Sequence, residues 1–199
     1  MTESDRLWLA ALHDVANRAA HQLKGALNGV SVNLEVVRSR SAKGAEAAAI
    51  EKFAAAAASQ LELVSEQSEA LLYLTRNQNK PSVDVALVLR HLAALLVPAA
   101  QADQVGLSVA GHDRAAVTRA PERAVRLALA TGLLALIKEG GGACRLEAGN
   151  AGSDAVVRFS HESAAVGIDQ AVAAAIAEHE IRIGKTGSDL TLSFPAAKA

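Results

Sequence analysis

His21 is followed three residues on by Lys24 and four residues on by Gly25, with Asn28, Gly29 and Ser31 close behind, in a stretch reading HQLKGALNGVS. A neutral imidazole has a free ring nitrogen that can act as a nucleophile. Nucleophilic chemistry is therefore open to it. His21 stands two residues before Leu23, which at helical spacing turns it about 200° away from the leucines around it. It is expected to face water.

The element that must carry His21 is a long amphipathic helix. Leu9, Leu12, Ala16, Ala19, Leu23, Leu27, Val30, Leu34 and Val37 succeed one another at steps of three or four, the spacing of a single stripe. Basic residues and turn formers in RSRSAKGAE end it. A second helix is predicted over 45–77, with Ile50, Phe53, Ala57, Leu61, Val64, Ser68, Leu71 and Leu74 on one side. Two helices of similar length joined by a short turn make an antiparallel hairpin, and two such hairpins bury their remaining apolar surface as a four-helix bundle. A homodimer is therefore expected.

RNQNKPSVD marks a boundary, since it is polar and contains a proline that discourages helix continuation. The expected division is residues 1–79 for the hairpin and 80–199 for a second domain. The pattern beyond it alternates helices (83–102, 121–140, 169–179) with short strands in VGLSVAG, AAVTRA, CRLEAG, DAVVRFS, EIRIG and DLTLSF. This predicts a small sheet with helices on one face, an α/β sandwich.

Composition narrows the partners. Of 199 residues, 20 are basic and 21 acidic and only 3% are aromatic, so no broad basic face or stacking platform for nucleic acid is expected. Cys144 is the one cysteine and pairs with nothing in the chain. The N-terminus lacks the pattern of a secretion signal, and apolar runs such as AALLVPAA are short for a bilayer, so a cytoplasmic protein with no membrane partner is expected.

HQLKGALNGVSVNLEVV resembles the phosphoacceptor box of bacterial histidine kinases, which reads like HELRTPLNGILGFLELL. The matching positions are His21, Leu23, Lys24, Leu27, Asn28, Gly29, Val30, Leu34 and Glu35, without a gap. The resemblance implies that His21 is the phosphorylated residue on a dimeric hairpin and that it exchanges a phosphoryl group with an aspartate of a receiver domain. Lys24, Gly25, Asn28, Gly29 and Ser31 are then the rim that meets the receiver, whose own site holds Mg²⁺. Two departures stand out. Gln22 replaces the acidic neighbour that assists kinase chemistry, and Ala26 replaces a proline. His13, followed by Asp14, is a rival acceptor, but counting from it puts Lys24 and Leu27 to Gly29 out of register.

The second domain resembles the ATP-binding domain of the same family, with VDVALVLRHLAALLVPAAQADQVGLSV as its opening and APERAVRLALATGLLALIKEG as the helix that carries a magnesium-binding asparagine. Aligned on Arg126, Ala128 and Lys138, that asparagine falls on Ala135, whose methyl group cannot ligate a hard cation. HESAAVG stands where Asp-x-Gly-x-Gly is expected, and DQAVAAAIAEHE where phosphate-cradling glycines are expected. The GGG at 140–142 has the composition of a turn, not of a phosphate loop. A degenerate domain without ATP, other cofactor or metal is implied. His161 with Glu162, and His179 between Glu178 and Glu180, are expected to be solvated surface. His91 and His112 carry no expected role, and Trp8 is assigned to the bundle core or a dimer edge.

The resemblance thus implies a histidine phosphotransferase that shuttles a phosphoryl group between receiver aspartates. The alternative, from a different class, is a non-catalytic pseudokinase scaffold that binds a receiver or kinase.

Overall fold

A computed structural model describes residues 2–76, 81–111, 117–139 and 142–197. The first helix, α1, runs over Glu3–Ala42. Thr2 opens it with a capping box: its hydroxyl accepts from the Asp5 amide at 3.1 Å while the Asp5 carboxylate accepts from the Thr2 amide at 2.9 Å. Gly44, at φ +68°, turns the chain, and α2 returns over Ala47–Thr75. The hairpin is laced by Asn33 to Gln60 at 3.3 Å and by Arg40 to the Ala49 carbonyl at 3.2 Å.

The rest of the chain is the expected α/β part: β1 (Val83–Asp84), α3 (Val85–Ala102), β2 (Gly106–Ala110), β3 (Val117–Thr118), α4 (Glu122–Glu139), β4 (Ala143–Ala151), β5 (Asp154–His161), α5 (Gln170–Ala177), β6 (Arg182–Thr186) and β7 (Asp189–Phe194). Asp84 and Asp169 cap α3 and α5, accepting from Leu87 and Ala171 at 3.0 and 2.8 Å. The five-stranded sheet has the order β2-β4-β5-β7-β6, with β2 parallel to β4 and the other neighbours antiparallel. Gly152 and Gly187, at φ +63° and +61°, take the first position of the two-residue hairpin turns, where a left-handed backbone is required. A small β1-β3 pair is added that the sequence did not predict as a sheet.

Burial alternates along β5 and β7, so Ala155, Val157, Phe159, Leu190, Leu192 and Phe194 point to the helices. Gly132 in α4 lets that layer close, because a Cβ built there would lie 2.7 Å from the fully buried ring of Phe159. The 18-residue α3 exceeds the apolar runs weighed in the sequence, and its length and composition would allow it to cross a bilayer. In the fold Val88, Leu89, Leu92, Leu95 and Leu96 are instead core residues.

The core does not stop at the expected boundary, whose residues 77–80 lie outside the described set. Trp8, Val15, Ala19 and Leu74 of the hairpin share one apolar cluster with α3 and α4. Trp8 thus packs against the second domain of its own chain. The architecture has the expected element order, a helical hairpin followed by a small mixed sheet with helices.

Candidate functional site

α1 is buried only in its first two-thirds. Its buried positions are Trp8, Ala11, Val15, Ala19 and Ala26, and none follows. His21 lies within this docked stretch but to one side of its buried face, exposed, and among the described residues its ring has no hydrogen-bond partner. The helix fixes the backbone that carries the imidazole while leaving the ring open to solvent. His13 is also exposed, but its Nε2 lies 2.9 Å from Asn17 Nδ2.

At about 100° per residue, Lys24, Gly25 and Asn28 fall within about 60° of His21 around the helix, and all three are exposed. Ser31 is exposed further round, and its hydroxyl donates to the Leu27 carbonyl at 3.0 Å. A Cβ added at Gly25 would meet nothing within 4 Å. Gly29 is different: it is turned toward α2, and a Cβ there would lie 2.3 Å from the Gln60 amide nitrogen. Its glycine admits Gln60 into the hairpin seam.

Val32 was missed. It is 63% exposed and lies about 20° from the His21 direction, three turns along. The signal was present in the sequence, since Val32 sits off the Val30–Leu34 stripe and in line with His21, Gly25 and Asn28.

His21 borders a cleft of about 610 Å³ between the two parts of the chain. Its far wall is the end of α3, with Asp103, and the last turn of α4, with Lys138. Arg18, one turn before His21, donates to Asp103 at 3.0 Å across this cleft.

The positions compared with the nucleotide site hold apolar groups and one buried histidine, whose Nε2 has no partner among the described residues. Ala135 packs against the core. His161 is 3% exposed, which corrects the expectation of solvated surface. It ends β5 on the inward phase shared with Val157 and Phe159, and its Nδ1 accepts from the amides of Ser163 and Ala164 at 3.1 and 3.0 Å. The turn after β5 thus closes on a histidine ring. Val166, one turn later, is buried. His91 also has a place: its ring meets Tyr73 edge-on at 4.0 Å between centroids. His112 and the first two glycines of GGG lie outside the described residues.

No protein-family model matches the sequence, and no curated protein matches it. Among solved structures, a bacterial phosphotransferase determined at 1.7 Å aligns over 92% of this chain and 94% of its own, with 14% identity and a TM-score of 0.41. The histidine kinase AdeS of Acinetobacter baumannii aligns over 89% and 98%, with 11% identity and a TM-score of 0.43. The kinase domain of the E. coli osmosensor EnvZ aligns over 62% and 94%, with 12% identity and a TM-score of 0.42. At these values none of the three carries an activity over to this chain.

Proposed function

We propose that this chain is a histidine phosphotransferase of a two-component phosphorelay, carrying a phosphoryl group on His21 between receiver-domain aspartates without ATP. One observation carries the reading: an unpartnered, exposed histidine on a rigid helix, one turn before a glycine that no contact in this chain requires. A neutral ring nitrogen attacks the phosphorus of an aspartyl phosphate. The N–P bond forms as the P–O bond to the carboxylate breaks, and the carboxylate leaves with the electron pair. The other ring nitrogen keeps its proton, so the product is a phosphoimidazolium that can run the step in reverse. The Mg²⁺ for this chemistry belongs to the receiver.

Lys24, Gly25, Asn28 and Ser31 form the rim of the docking face, with Val32 as its apolar point and Gly29 beside it in the seam. The packing of Ala135 against the core, where a magnesium-binding asparagine would stand, favours a carrier over a kinase. Homodimerisation through the outer half of the hairpin is part of the same reading. Leu27, Leu34 and Leu61 are 49%, 53% and 56% exposed there, and a second hairpin would cover them. A cytoplasmic location fits partners of this kind.

The test follows radiolabel onto the purified protein from ATP and, separately, from a panel of phosphorylated receivers, each repeated with His21→Ala. Label from receivers alone, lost in the variant, is the expected result. Label from ATP would make the protein a kinase, and no label from either source would leave a binding scaffold.

A further inference from the structure

The second domain is not only a support for the hairpin. We infer that Lys138, at the end of α4, is a phosphoryl-contacting residue that completes the His21 site from across the interdomain cleft. The inference rests on the phosphotransfer reading for its biological meaning, but its chemistry can be tested without a receiver.

The cleft holds two cations, Arg18 and Lys138, and two anions, Asp14 and Asp103, around His21. Arg18 is already engaged by Asp103 at 3.0 Å. Lys138 is exposed and has no ion pair among the described residues. Transfer to His21 places a dianionic phosphoryl group on a ring left as an imidazolium, a net addition of about one negative charge, and upsets this balance. The free group able to restore it from the cleft side is the Lys138 ammonium, a point charge on a flexible stem. Lys24 stands on the other side of His21, toward the face open to a partner. The two lysines therefore flank the imidazole, one facing the partner and the other belonging to the second domain.

The position of Lys138 is fixed by buried neighbours. Leu133, Leu136 and Ile137 hold the last turns of α4 in the core, and Arg18–Asp103 ties the end of α3 to α1. The cleft wall is thus a packed surface, and its distance from His21 is set by the same core that contains Trp8 and Leu74.

The experiment phosphorylates the full chain directly with phosphoramidate, in which the N–P bond to ammonia breaks as the bond to the histidine nitrogen forms. Wild type, Lys138→Ala, Lys138→Arg and the control Lys185→Ala are compared for the rate of His21 phosphorylation, and in parallel for exchange with phosphorylated receivers. Lys138→Ala is expected to slow phosphoramidate labelling about threefold, the order of effect of one positive charge on one net negative charge across a few ångströms of water. Lys138→Arg should stay within about twofold of wild type, and Lys185→Ala should match it. Equal rates for wild type and Lys138→Ala would overturn the inference, as would a wild-type chain that phosphoramidate cannot label at His21. If phosphoramidate labelling depends on Lys138 while no receiver exchanges phosphate, the inference stands and the phosphorelay reading fails.

Discussion

Arg126 on α4 donates to Glu122 one turn earlier at 2.6 Å, and both side chains are only 5% exposed. The same guanidinium donates to the carbonyls of Tyr73, Leu74 and Arg76 at 2.9, 3.0 and 2.8 Å. Those carbonyls end α2, where a helix has acceptors without partners. One arginine thus caps the hairpin from inside the second domain, and Glu122 neutralises it. Burial, followed by the proximity of Glu122, pushes the Tyr73 phenol up to about 12, so it stays protonated beside the pair.

Replacing Arg126 by Met should destabilise the chain by about 3–5 kcal/mol, because Glu122 is left as a buried charge and three carbonyls lose their donor. The Arg126→Met, Glu122→Leu double variant should recover much of the loss. Urea unfolding of the wild type, both single variants and the double variant checks this. Equal losses in the single and double variants would show that the pair is not the cause.

Gly132→Ala should cost about 1–3 kcal/mol despite the better helix propensity of alanine, since the new methyl meets the Phe159 ring where neither can move. Phe159→Leu in the same background should relieve part of the cost. Thermal unfolding of both variants reads the difference, and a stabilised Gly132→Ala would mean that the ring yields.

Gly25→Ala should do the opposite. With nothing near the added methyl, the substitution should stabilise α1 by about 0.5–1 kcal/mol. If the glycine is kept for a docking partner, the same variant slows label transfer from a receiver. A more stable protein with unchanged transfer would remove Gly25 from the docking face.

Much of this architecture was legible because it rests on local rules. The hairpin followed from two stripes at helical spacing, and the paired strands from alternation around glycine turns. His21 facing water followed from its angle to Leu23. What escaped depended on contacts distant in sequence. Arg126 served to align a segment, but nothing local says that its guanidinium reaches the end of α2. Gly29 and Gly25 look alike in the sequence and differ only because Gln60 fills the space beside one of them. His161 was assigned to the surface from its polarity, although its place on the inward phase of β5 already argued for burial.

His91 gives the chain a predictable response to acid. Burial, aided by Arg90 and Arg126 and opposed by Glu69, holds its imidazole below the ordinary value of 6.5. The unfolded chain therefore takes up a proton near pH 6.5 while the folded chain resists it. Stability from this group is complete above that pH and falls as the pH drops from about 6.5 toward the folded value. His91→Gln keeps a side chain of similar size without the titration, so it should lose less stability between pH 7.5 and pH 5 than the wild type. Melting temperatures of the two proteins at both pH values make the comparison. Parallel losses would show that His91 protonates as freely in the folded chain as in the unfolded one.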